Sequence, residues 1–84
     1  MHETFIVEFA AQAHIVLPRG LLRSLGLALL ESQRGRVTLM NVSTPADTHW
    51  ALRARELARR LRQGALAVRL ESPQERQQRR ERAV

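Results

Sequence analysis

No cysteine occurs anywhere in this chain of 84 residues, and that bounds its fold more tightly than any other feature. A domain this short buries a modest fraction of the surface its unfolded chain exposes, so its core is marginal unless something adds to it. Disulfides and thiolate zinc sites are the usual additions at this size, and both need cysteine. Packing and self-association remain, and a homodimer or larger assembly is expected. The length permits one domain.

Apolar residues fall in short runs punctuated by glycine and proline. Thr4–Phe9 is β-branched and aromatic and reads as a strand. Residues 10–13 are a small-residue connection, and 14–17 read as a second short strand ended by Pro18, which cannot donate to a ladder. Pro18 suits the first position of a helix, and Leu21, Leu22, Leu25 and Leu29 follow at helical spacing. If Gly26 is a left-handed cap, this helix has about two turns. If Gly26 is an interior glycine, at a cost of roughly 1 kcal/mol relative to alanine, the helix runs to about Gln33. The short helix is favoured; residues 27–31 then form a strand that turns through 32–35 into another at 36–42.

The clearest local signal comes next. Thr44, Pro45 and Asp47 supply a capping hydroxyl, a proline at the first helical position and an acid near the positive end of the helix dipole. They predict an amphipathic helix over about 45–63, with Trp50, Ala54, Leu57, Ala58 and Leu61 as one apolar stripe and Gly64 closing it. Residues 65–70 are a short strand or extended segment. Residues 72–84 have almost no apolar content and are expected to be disordered or a solvated helical tail, outside a single α+β domain of 1–71.

The formal net charge of +6 is unevenly placed: four arginines balance four acids in residues 1–49, whereas 50–84 hold ten arginines against four acids. Lysine is absent. The planar guanidinium fork matches phosphate oxygens and guanine edges. Little here suggests an enzyme. Asp47 is the only aspartate and is placed to start a helix. No Gly-x-Ser-x-Gly turn or glycine-rich phosphate loop with lysine occurs. His2, His14 and His49 lack ligand spacing, so neither metal nor cofactor is expected. His2, Glu3 and Glu8 stand where a secretory leader needs cations and apolar residues, and the apolar stretch at 21–30 is too short and too polar to cross a bilayer. A cytoplasmic, non-enzymatic binding protein with no membrane partner is expected.

Within the second helix Arg55, Arg59 and Arg62 share a face, with Arg53 and Arg60 on the other side of the stripe. Such a helix can lie against a phosphate backbone while its leucines pack inward, or it is a solvated face with Glu56 as a partial partner. Arg76, Arg79, Arg80 and Arg82 add backbone contacts or simply solubilise the tail. Trp50, Leu57 and Leu61 are candidate anchors of a core, a dimer or a partner surface. One aromatic does not make a base-stacking platform.

The stretch from Gln12 through His14, Ile15, Val16, Leu17, Pro18, Arg19, Arg23, Leu25 and Gly26 to Leu27 resembles the signature of the SpoVT/AbrB family: alternating β-branched residues, Leu-Pro, a short helix with a basic residue, then Leu-Gly-Leu. With the strand Phe5–Phe9 at the right distance upstream, the resemblance covers about residues 4–27. The resemblance implies a swapped-hairpin β-barrel shared by two chains. It also implies double-stranded DNA binding by a transcription regulator or antitoxin, with His14, Arg19 and Arg23 at the contact positions. Two other partners stay open. One is an acidic protein, such as a toxin or target enzyme, met by the basic helix of an antitoxin or phage-type inhibitor. The other is RNA, bound through the arginine-rich second half.

Overall fold

The β-branched and aromatic run Thr4–Phe9 forms β1, an inner strand of a four-stranded antiparallel sheet, in the computed structural model, which describes residues 3–42 and 49–83. Along the chain follow α1 (Arg19–Ser24), β2 (Leu27–Gln33), β3 (Arg36–Asn41), α2 (Trp50–Leu61), β4 (Ala65–Leu70) and α3 (Pro73–Arg82). The strands lie in the order β2-β3-β1-β4. Up to β4 this is the split βαβ arrangement of ferredoxin-like domains, with α3 appended. The α+β class is as expected. The barrel is not: the sheet is open, with β2 and β4 at its edges.

Strand alternation divides the side chains between two faces. Phe5 lies opposite Leu39, and Val7 lies between Val37 and Val68. Together with Phe9, Leu27, Ile15, Leu22, Ala54, Leu57 and Ala58 they form the core under α1 and α2. Phe5, Val7, Phe9, Val37, Leu39 and Leu57 are wholly buried, each contributing about 1.5–3 kcal/mol relative to exposure. The opposite face, with Thr4, Ile6, Glu8, Arg36, Thr38 and Arg69, carries α3.

Residues 14–17 form no strand. β1 already has β3 and β4 on its two sides, so the returning chain finds no free edge beside it. Ile15 enters the core instead. Pro18 is the N-cap of α1 rather than its first helical residue, and Gly26, with φ 68°, ends the turn that follows. The short helix and the β2–β3 hairpin therefore stand as favoured.

The described part of α2 starts at Trp50, not 45. His49 is extended, and its Nδ1 accepts from the Ala51 N–H at 3.2 Å. The Thr44, Pro45 and Asp47 signal lies outside the described residues. At the other end Arg62, not Gly64, takes the left-handed conformation (φ 57°), and the Gln63 N–H returns to the Ala58 carbonyl at 3.1 Å.

Residues 72–83, within the stretch expected to be disordered or a solvated tail, supply a docked helix instead. A capping box starts α3: Ser72 Oγ accepts from the Glu75 N–H and Glu75 accepts from the Ser72 N–H, both at 3.1 Å. None of its residues is buried, and ion pairs hold it in place. Glu75 takes Arg36 at 2.9 Å and Arg69 at 2.5 Å, Arg79 reaches Glu71 at 2.8 Å, and Arg82 reaches Glu31 at 2.7 Å.

Candidate nucleic-acid interface

The folded chain uses more than half of its arginines internally. On α3, Arg76, Arg79 and Arg82 face Glu71 and Glu31. On the sheet, Arg36 and Arg69 share Glu75, and Arg69 also reaches Glu8. Hydrogen bonds from Arg69 hold the Glu75 carboxyl down to about 2, with Ser72 assisting against partial burial.

α2 is less cationic in three dimensions than in sequence. Glu56 accepts from Arg59 at 2.6 and 2.9 Å and from Arg60 at 2.9 Å. Those bonds, Arg59 first, hold its carboxyl down to about 2. Arg53 donates to Asn41 Oδ1 at 2.7 Å. The predicted trio of Arg55, Arg59 and Arg62 does line the exposed side of the helix, but Arg59 reaches it already paired.

Six arginines remain exposed with no hydrogen-bond or ion-pair partner among the described residues: Arg19, Arg23, Arg34, Arg55, Arg62 and Arg80. Arg19 and Arg23, one turn apart on α1, border a groove of about 480 Å³ floored by Leu17, Leu22, Leu27 and Leu29. His14 does not join them. It lines a separate cavity of about 310 Å³ with Leu61 and Gln63, at the end of α2. Arg34, which the sequence pattern does not single out, occupies the β2–β3 turn. It lies within the turn expected at 32–35, and the pairing of 27–33 with 36–41 presents it at the tip.

Trp50, Leu57 and Leu61 lie on the inner side of α2, Trp50 and Leu61 half-buried. Leu57 is fully buried within its own chain, and Trp50 and Leu61 pack against the same core. The Trp50 ring lies 5.5 Å from that of Phe5. The stripe turned inward because the sheet face under α2 is lined by Phe5, Val7 and Val68, which would otherwise meet water. Among the described residues no three His, Asp or Glu side chains gather in a metal-binding group, and no helix is long and apolar enough to cross a membrane.

Compared with known proteins, the chain matches no family model, no curated protein and no solved structure.

Proposed function

We propose that this is a small, non-enzymatic nucleic-acid-binding protein, acting as a regulator on duplex DNA. The observation that carries the reading is the set of six exposed arginines without partners among the described residues. A folded domain that satisfies Arg36, Arg69, Arg79 and Arg82 with carboxylates has the means to neutralise its surface, yet leaves these six open. Their positive field attracts a polyanion and favours phosphate contacts through counterion release. The resemblance of about residues 4–27 to the SpoVT/AbrB regulators favours duplex over single-stranded partners and occupancy of an operator as the mode of action. A homodimer, which the length favours, would double the contacts.

Fluorescence anisotropy tests this with three labelled probes over a range of salt: duplex from the region upstream of the coding sequence, random duplex, and an RNA hairpin. Preference for the upstream duplex that survives physiological salt supports the regulator. Preference for the hairpin turns the reading to RNA. Weak binding to all three, lost as salt rises, leaves the arginines as generic charge and favours an acidic protein partner.

A further inference from the structure

We propose that the domain grips nucleic acid with one end, built from the β2–β3 turn, the 10–17 loop and the C-terminal end of α2, with Arg34, His14 and Arg62 meeting phosphates of the backbone. This rests on the nucleic-acid reading above and adds the place of docking.

Three backbone hydrogen bonds assemble that end. The Phe9 N–H donates to the Gly35 carbonyl at 2.8 Å, the Gly35 N–H to the Ala13 carbonyl at 2.9 Å, and the Ala10 N–H to the Gly64 carbonyl at 2.7 Å. Phe9 and Ala10 are neighbours, so Gly35 and Gly64 are held on opposite sides of the end of β1, about 10 Å apart by two interstrand spacings. Arg34 precedes Gly35, His14 follows Ala13, and Arg62 lies two residues before Gly64. Three cations or donors remote in sequence are thereby tied to one framework. All three side chains are exposed.

The framework is tight. Gly35 has φ 68°, and a Cβ there would sit 3.0 Å from the Ala11 carbonyl oxygen, so turn and loop are in contact with no slack between them. A phosphate meeting this end orders little backbone, which keeps the entropic cost of binding low. Charge points the same way. Glu8 borders the turn beside Arg34, but Arg69 holds it at 3.3 Å. Arg36, on the same rim, is held by Glu75. Arg34 and Arg62 therefore keep their field toward solvent. Duplex DNA presents one charge per about 1.7 Å of axis, a density that suits cations spread across a rigid end.

The test measures anisotropy with a fluorescein-labelled duplex of about 20 base pairs between about 50 and 200 mM salt, a range over which phosphate contacts dominate affinity. The variants are Arg34→Gln with Arg62→Gly, Arg19→Gln with Arg23→Gln, and Gln78→Glu, which lowers the net charge by one on the exposed side of α3. Glycine is chosen at 62 because it accepts φ 57° without strain. Circular dichroism establishes that each variant is folded. The expected result is that the first double variant flattens the plot of log Kd against log salt by about 2, roughly 0.9 for each phosphate left unneutralised, while Gln78→Glu leaves it unchanged. If the slope survives in the first double variant and falls in the Arg19, Arg23 variant, docking is elsewhere and this inference is overturned, while the nucleic-acid reading stands. If the unmodified protein binds no duplex, or binds polyglutamate as tightly, both fall together.

Discussion

Arg79 of α3 donates to both carboxylate oxygens of Glu71, at 2.8 and 3.1 Å, and the Glu71 side chain is only 2% exposed. Burial pushes that carboxyl up, but Arg79 and the Thr4 hydroxyl, at 3.0 Å, outweigh it and hold the group below the usual range. This pair is the deepest attachment of α3. Arg79→Ala leaves a buried carboxylate with Thr4 and a more distant Arg76, at 3.7 Å. Breaking a fully buried pair costs about 3–5 kcal/mol; with Arg79 itself 17% exposed, about 2–3 kcal/mol is expected. Arg82→Ala breaks a more exposed pair, which solvent screens, and should cost less. Urea unfolding measures both, and equal losses would contradict the ranking.

Acid should release α3 before it unfolds the core. Glu75, Glu71 and Glu31 all have lowered pKa values, Glu75 to about 2. A carboxyl depressed in the folded state contributes stability that is fully present above its unfolded value near 4.5 and drains as pH falls toward 2. All three act on the attachment of α3, whose residues bury nothing of their own. The expected outcome is that the far-ultraviolet helical signal falls between about pH 4.5 and 2 while Trp50 emission, which reports the opposite face, holds. Loss of both in one step would make α3 part of a single cooperative unit.

Leu57 belongs to the core of its own chain. Leu57→Ala should therefore cost about 2–5 kcal/mol through the cavity it leaves, with no change in oligomeric state by light scattering. A variant that changes assembly but keeps its unfolding midpoint would return Leu57 to an interface.

Local signals in this sequence are legible where the local chemistry admits one answer, and hidden where the answer depends on distant strands. Gly26 fixes the end of α1 because its φ of 68° favours glycine, and the stripe from Trp50 to Leu61 fixes the inner face of α2. Residues 14–17 have the composition of a strand, but pairing needs an edge, and both sides of β1 are taken by segments far along the chain. Ser72, Pro73 and Glu75 are a readable helix start, yet the helix has no apolar face to announce docking. Its partners, Arg36, Arg69, Glu71 and Glu31, all come from the sheet or the residue that follows it. Charge counting places the site on α2 with Glu56 as only a partial partner, whereas in the fold Glu56 accepts from both Arg59 and Arg60. It also passes over Arg34, whose place near Arg62 follows only from the strand order.

Two turns in this chain adopt the left-handed region at the proposed docking end, and only one of them uses glycine. Gly35 (φ 68°) meets the requirement without strain, whereas Arg62 (φ 57°) meets it with a full side chain, a conformation that costs a non-glycine residue roughly 1–2 kcal/mol. Arg62→Gly removes that strain but gives the unfolded chain more freedom to lose. A net gain of about 0.5–1 kcal/mol is expected, raising the melting temperature by roughly 2–8 °C in a domain of this size. Gly35→Ala should move the other way by about 1–2 kcal/mol or more, since its Cβ also meets the Ala11 carbonyl oxygen at 3.0 Å. Thermal melts of the two variants check both signs. A more stable Arg62→Gly protein that binds duplex DNA less well would show that stability is given up at this helix end for the sake of a phosphate contact; a less stable one would mean that the Arg62 side chain supports the fold instead.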